Sequence, residues 1–279
     1  MKRLFKQPIV IFSLSIIALY TIITLLVALG LLAGNWSEEI TTSYQKPSWD
    51  ILFGADIFGQ SVLRKVIYSI KTAMLVGFTS SLIALFIGIT LGFLAGYFGG
   101  YLDQFIVWLY TTFSSIPSII LLISIAMILG KGEATMYISV GLTSWVGLCR
   151  LVRGEVLKHK NREYVLAMKT FGASHLRKMR HIFPNIAHLI IINASLQFQT
   201  AIKSEVILSY IGLGAAGVPS WGTMIDDAKR EISQGVWWQL CFASLAMFFI
   251  ILAFNLLSDS LRDFFDPKLK GLDLNVENK

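Results

Sequence analysis

The sequence predicts an all-α integral membrane protein, a bundle of six transmembrane helices with both the N-terminus and the C-terminus in the cytoplasm. Three observations carry that expectation. Of 279 residues, 55% are hydrophobic and 15% are charged, and mean hydropathy is +0.66; charge that sparse over long apolar runs is a membrane composition. The runs are continuous rather than alternating ten-residue strands, and in lipid only helices or closed barrels satisfy their own backbone groups. Lys and Arg, finally, collect in alternate loops.

A bilayer core about 30 Å thick needs roughly 20 apolar helical residues, and six segments are candidates. The first, 8–33, follows Lys2, Arg3 and Lys6. It is longer than a signal-peptide core and shows no clear small-x-small cleavage site, so it reads as a retained span. The outside segment 34–71 comes next, and its end, 62–70, has the mixed pattern of a helix lying at the membrane interface.

The second span is 72–98, where Gly88, Gly92 and Gly96 recur at four-residue spacing. Small residues so spaced let a neighbouring helix approach closely. The third, 105–129, contains Pro117, which removes a backbone donor and should kink it. Such a kink either shapes a pathway or is purely structural. The fourth, 134–149, is short, and Arg150 marks where it should leave the hydrocarbon.

The fifth, 186–212, holds the two ionisable residues of the spans, Lys203 and Glu205. Charged groups inside spans are candidates for function, here pathway lining. Both lie about 25 Å along the helix from Ile186, toward the outer surface. Two apart, they do not face each other. Simple interfacial placement explains them equally well. The sixth span is 236–257.

Orientation follows from the basic residues. Segments 1–7, 99–104, 150–185 and 258–279 hold 16 Lys or Arg, whereas 34–71, 130–133 and 213–235 hold 7. The richer set is cytoplasmic. Residues 1–71 form the first helix, the outer loop and the interfacial helix. Residues 72–268 form a five-helix core including the cytoplasmic loop 150–185, and 269–279 form a tail.

Several chemistries are missing. Cys149 and Cys241 stand alone, with no CxxC or ligand spacing. "GKGEAT" at 130–135 lacks P-loop spacing, so the chain should bind no ATP of its own. No H-E-x-x-H or G-x-S-x-G occurs, and no catalytic residue is expected. His159, His175, His181 and His188 have no carboxylate cluster beside them, so no metal site is expected. The basic residues alternate with spans rather than lining one soluble face, which argues against nucleic acid. The spans hold no midplane acid and show no repeat, which fits an ion-coupled carrier poorly.

One stretch stands out, "REYVLAMKTFGASHLRKMRHIFPN" at 162–185. Tyr164, Met168 and Phe171 fall on one helical face with Val165 beside them. Gly172 is placed to end that helix, and Ser174 to cap a second short one. In the second, Leu176, Met179 and Phe183 share a face before Pro184 stops it. The pair could rest on anionic lipid, connect two spans, or form a knob for a groove on a soluble partner.

The same residues resemble the cytoplasmic signature of ABC importer permeases, in which Glu-Ala-Ala, three residues and Gly are followed by a spacer ending near Pro. "LAMKTFG" at 166–172 and "HIFPN" at 181–185 occupy those places. Other segments resemble the C-type subunit of dipeptide, oligopeptide and nickel permeases: "FGADIFGQSVLRKVIYSIKTAMLVG" at 53–77, "GYFGGYLDQFIVWLYTTFSSIPSIILLI" at 96–123, "WVGLCRLVRGEVLKHKNREYVLAMKTFGAS" at 145–174, "SEVILSYIGLGAAGVPSWGTMI" at 204–225 and "FNLLSDSLRDFFDP" at 254–267. Leu166 stands where the signature has Glu, Met168 replaces the second Ala, and Gln60-Ser61 replaces Arg-Asp.

The resemblance implies a type I ABC importer permease fold in the inner membrane, and a subunit with no ATPase site of its own. It implies peptide transport, with nickel or another small solute as the alternative within the family. It also implies a homologous permease as heterodimer partner, an extracytoplasmic binding protein touching 213–235, and surrounding lipid. Two ATPase subunits carrying ATP and Mg would dock on 163–183. The coupling residues would be Glu163, Tyr164, Leu166, Ala167, Met168, Phe171, Gly172, Ala173 and Ser174. The rival of another class is a passive channel or membrane scaffold with a lipid-bound basic loop.

Overall fold

A computed structural model describes residues 7–265 as helices, joined by short turns except for the long segment 29–61, with two isolated β-bridges and no strand among the described residues. The basic N-terminal residues and the tail expected over 269–279 lie outside the described residues.

α1 (Pro8–Ala28) starts with proline at its first turn, where a missing N–H costs nothing. It ends five residues earlier than the apolar run. Gly30 takes φ +72°, and the Gly30 and Leu31 amides turn back to the Val27 and Leu26 carbonyls, closing the helix.

The following segment is pinned rather than loose. Asp56 Oδ1 accepts from the Phe58 and Gln60 amides at 2.9 Å each, and Asp56 pairs with Lys65. Phe53 stacks on Phe242 at 3.7 Å, and Trp238 Nε1 donates to the Ala55 carbonyl.

α2 (Val62–Phe98) runs unbroken for 37 residues, so 62–70 is its first turns and not a separate helix. Ser61 caps it by accepting from the Arg64 amide. The three glycines face α5 (Glu133–Lys160). A Cβ at Gly88, Gly92 or Gly96 would lie 3.0, 2.6 or 2.7 Å from the carbonyl oxygen of Trp145, Cys149 or Arg153. The spacing serves close packing of two backbones.

The third segment is broken, not merely kinked. α3 (Gly100–Ser115) and α4 (Ser118–Leu129) meet at Ile116-Pro117 with a 94° bend. Two causes combine: proline cannot donate to the preceding turn, and it forces Ile116 into an extended conformation (φ −93°, ψ 132°).

α5 continues beyond Arg150 to Lys160, correcting the expected end at 149. The helix persists because its charges are held. Arg150 lies 4.8 Å above the Tyr110 ring and donates to Ser114 Oγ at 2.7 Å. Arg153 grips Asp103 with both nitrogens, at 2.5 and 2.7 Å.

α6 (Glu163–Thr170) is followed by α7 (His175–Tyr210), α8 (Trp221–Ile232) and α9 (Trp238–Phe265). Pro184 does not stop the helix that starts at Ser174; it lies inside α7. Pro184 leaves the Arg180 carbonyl without its helical donor, and one residue on, the Asn185 side-chain amide donates to the His181 carbonyl at 2.8 Å.

Among the described residues four helices, α1, α2, α5 and α9, are long and apolar enough to cross a membrane, and the bent α3–α4 pair is so only when its two halves are taken together, as a broken span or a re-entrant loop. α7 is long enough, but His188, Asn193, Gln197, Gln199, Lys203 and Glu205 interrupt its apolar run. The core divides along the bundle. Tyr20, Phe198, Trp221 and Trp238 pack at one end. Phe93, Tyr97, Val156, Val165 and Ile182 pack at the other.

Candidate functional site

The short helix α6 stands at the end of the bundle where α5 stops and α7 begins. Three sets of contacts fix it there. Val165 points inward, 4% exposed, among Tyr97, Val156 and Ile182. Tyr164 Oη lies 3.0 Å from His159 Nδ1 on α5 and accepts from Asn185 of α7 at 3.4 Å. At the far end Gly172 takes φ +68°. Its amide donates to the Lys169 carbonyl and that of Ala173 to Met168, so the helix closes on a two-bond cap. Ser174 then caps α7, accepting from the Arg177 amide. Gly172 and Ser174 sit where the sequence placed them.

What this scaffold presents is apolar. Phe171 is 89% exposed, Leu166 49% and Leu176 76%, with Tyr164 at the border. Glu163, Ala167 and Ser174 are also exposed, while Met168 and Ala173 are half-buried. The nine residues singled out from sequence are therefore brought together on one knob. Val165 is the residue that ties the knob down. Sequence reasoning did not single out Tyr97, whose hydroxyl lies 2.9 Å from His175 Nδ1 and joins α2 to the start of α7. Its signals were its place at the end of an apolar run and within the 96–123 stretch that carries the resemblance.

The three pathway candidates are not brought together. Pro117 is exposed at the α3–α4 elbow and borders a hollow of about 320 Å³ with Phe113, Ser114 and Thr143. Lys203 is exposed, whereas Glu205 is fully buried and accepts from Ser209 Oγ at 2.7 Å. Two positions apart on one helix, they point to nearly opposite sides.

A cavity of about 310 Å³ opens at the opposite end of the bundle from α6, lined by Trp36, Lys65, Lys131, Asp227 and the Gly-rich turn 212–219. Behind it, Asp56 and Glu231 are each 2% exposed, and Lys65 is the cation beside them. Burial, with the nearby Asp56 and Asp227 carboxylates, pushes the Glu231 carboxyl up to about 7. None of this cluster was singled out from sequence, because Asp56 and Glu231 lie 175 positions apart. Among the described residues no group of three His, Cys, Asp or Glu is placed to hold a metal ion.

Comparison with known proteins bears on this arrangement. Residues 88–271 match the family described as "Binding-protein-dependent transport system inner membrane component". The dipeptide transport system permease protein DppC of Bacillus subtilis is 35% identical over 235 residues, which is 84% of this chain and 73% of the relative. DppC of Alkalihalophilus pseudofirmus is 34% identical, over 97% of this chain and 89% of the relative. The oligopeptide transport system permease protein OppC of Bacillus subtilis is 32% identical, over 89% and 84%.

Proposed function

This chain belongs to the family of binding-protein-dependent transport system inner membrane components, and we propose that it is the permease subunit of an ABC importer of di- and oligopeptides. The substrate class rests on the names of its relatives. It is a multi-pass protein of the inner membrane. ATP and Mg belong to separate ATPase subunits, and this chain performs no covalent chemistry.

In this reading α7 is the remaining span, which gives six spans with α3–α4 as the third, and both chain ends are cytoplasmic. α6 then lies on the cytoplasmic side, and the outer loop and α8 face a substrate-binding protein. A second, homologous permease completes the pathway.

The observation that carries the coupling role is the exposed apolar knob, Leu166 and Phe171, held rigidly between two long helices. Exposed aromatic and aliphatic side chains on a fixed short helix suit a groove on a soluble partner. α7 spans about 54 Å at 1.5 Å per residue. A push on α6 therefore reaches the Glu205–Ser209 turn as motion of one rod, and alternating access follows from rigid-body rotation.

The test is co-purification with the ATPase subunits of the importer. Phe171→Asp with Leu166→Asp should abolish ATPase retention while the permease stays folded. Undiminished retention overturns the coupling role.

A further inference from the structure

Beside the knob are two hollows, one of them bordering its Leu166. One, about 460 Å³, lies between α2 and α7 and is almost wholly apolar, with Ile89, Phe93, Leu94, Met179 and Phe183 in its walls. The other, about 250 Å³, lies where the ends of α2 and α5 meet α6 and the start of α7 and is basic: Lys160, Lys169, Lys178 and His175 converge there around Tyr97. No carboxylate lines it, and neither Lys169 nor Lys178 forms an ion pair among the described residues. Leu176 borders the apolar hollow and the adjacent His175 the basic one.

We propose that these paired hollows hold an anionic phospholipid, its phosphate on Lys169 and Lys178 and an acyl chain against α2 and α7. Each half of the ligand matches one hollow. Cations in a pocket at the end of a helical bundle attract a lipid phosphate, and Lys169 and Lys178 have no ion-pair partner among the described residues. The apolar hollow is what a soluble anion would leave unfilled. Arg180, in its wall, is long enough to carry its charge toward the headgroup level while its stem stays on the apolar surface. The site rests on the reading of α6 as cytoplasmic only for which leaflet supplies the lipid.

The full-length chain, purified in detergent and supplied with phosphatidylglycerol and phosphatidylcholine in equal amounts, should retain phosphatidylglycerol preferentially by native mass spectrometry. Lys160→Gln, Lys169→Gln and Lys178→Gln together should remove that preference, by about fivefold for each lysine. Thr90→Trp, which fills the apolar hollow from an exposed position, should reduce retention of the lipid while the lysines remain. Should the triple variant not fold, Lys169→Gln alone carries the comparison from an exposed site.

Equal retention of the two lipids, or a preference unchanged by the lysine variants, overturns the proposal. So does displacement of phosphatidylglycerol by inorganic phosphate with no effect of Thr90→Trp, which would mark a site for a free anion. Loss of ATPase retention in the lysine variants with lipid preference intact would assign the basic hollow to the ATPase and also overturn it. These readouts are separate from the Phe171 experiment, so either reading can fail without the other.

Discussion

Gly92 of α2 lies so close to Cys149 of α5 that a Cβ on it would stand 2.6 Å from the Cys149 carbonyl oxygen. Backbone, unlike a flexible side-chain tip, has nowhere to move. Gly92→Ala should therefore force the helices apart and destabilise the protein by about 1–3 kcal/mol, the usual range for overpacking. Gly147→Ala is the control, since nothing lies within 4 Å of a Cβ there. Thermal melting in detergent should show a loss for the first variant and none for the second.

The turn after α6 makes a different demand. A Cβ on Gly172 would meet nothing within 4 Å, but φ is +68°. The cost of a side chain there is conformational alone, about 1–2 kcal/mol for a β-branched residue and less for Asn. Gly172→Val should loosen the end of the knob and lower peptide-stimulated ATPase activity of the assembled importer. Gly172→Asn should leave it near normal, and melting of the bundle should change little in either.

Arg153 and Asp103 join α5 to α3 through two hydrogen bonds in a half-buried setting. Removing one partner leaves the other's charge without its ion pair in a partly exposed site, so Asp103→Leu and Arg153→Met should each cost about 1–3 kcal/mol. The double variant should be less damaged than the sum of the two by about 0.5–3 kcal/mol. A double-mutant cycle on melting measures this, and strict additivity would show the pair to be idle.

Glu231 supplies a pH dependence. Its carboxyl is held up at about 7 against an ordinary value of 4.5, so the folded protein binds its proton more tightly than the unfolded chain does. The sign follows: this group's destabilising contribution is absent below about 4.5, grows as pH rises through the interval, and is fully present above about 7. A shift of that size corresponds to about 3 kcal/mol. Glu231→Gln should raise stability at pH 8 and flatten the stability profile between those limits, as read by melting at a series of pH values.

Much of this architecture is legible in the sequence because membrane burial leaves a one-dimensional trace. The apolar runs, the glycine spacing of α2, the glycine that ends α6 and the serine that caps α7 all act over a few residues. What failed to show acts in three dimensions. Arg150 looked like a helix end because its Ser114 and Tyr110 partners lie on another helix. Pro184 looked like a stop although α7 tolerates it. The bend at Pro117 could be located but not sized, and the Asp56–Lys65–Glu231 cluster left no local sign. At the knob, spacing placed Tyr164, Met168 and Phe171 on one face, but Met168 is half-buried and Val165 beside them points inward, while the exposed Leu166 lies off that face.

Tyr20 of α1 donates its hydroxyl to the Ala246 carbonyl of α9, across 226 positions of sequence. A ribosome adding roughly 5–20 residues per second needs about 10–45 s to cover that distance. For that interval the first helix waits in the bilayer with a phenol whose eventual acceptor has not been made, and hydrocarbon offers no substitute. The last helix therefore does more than complete the bundle: its arrival ends the period in which α1 is free to pair wrongly or be recognised as unassembled. A chain interrupted before α9 should be cleared by membrane quality control even though every earlier helix is present.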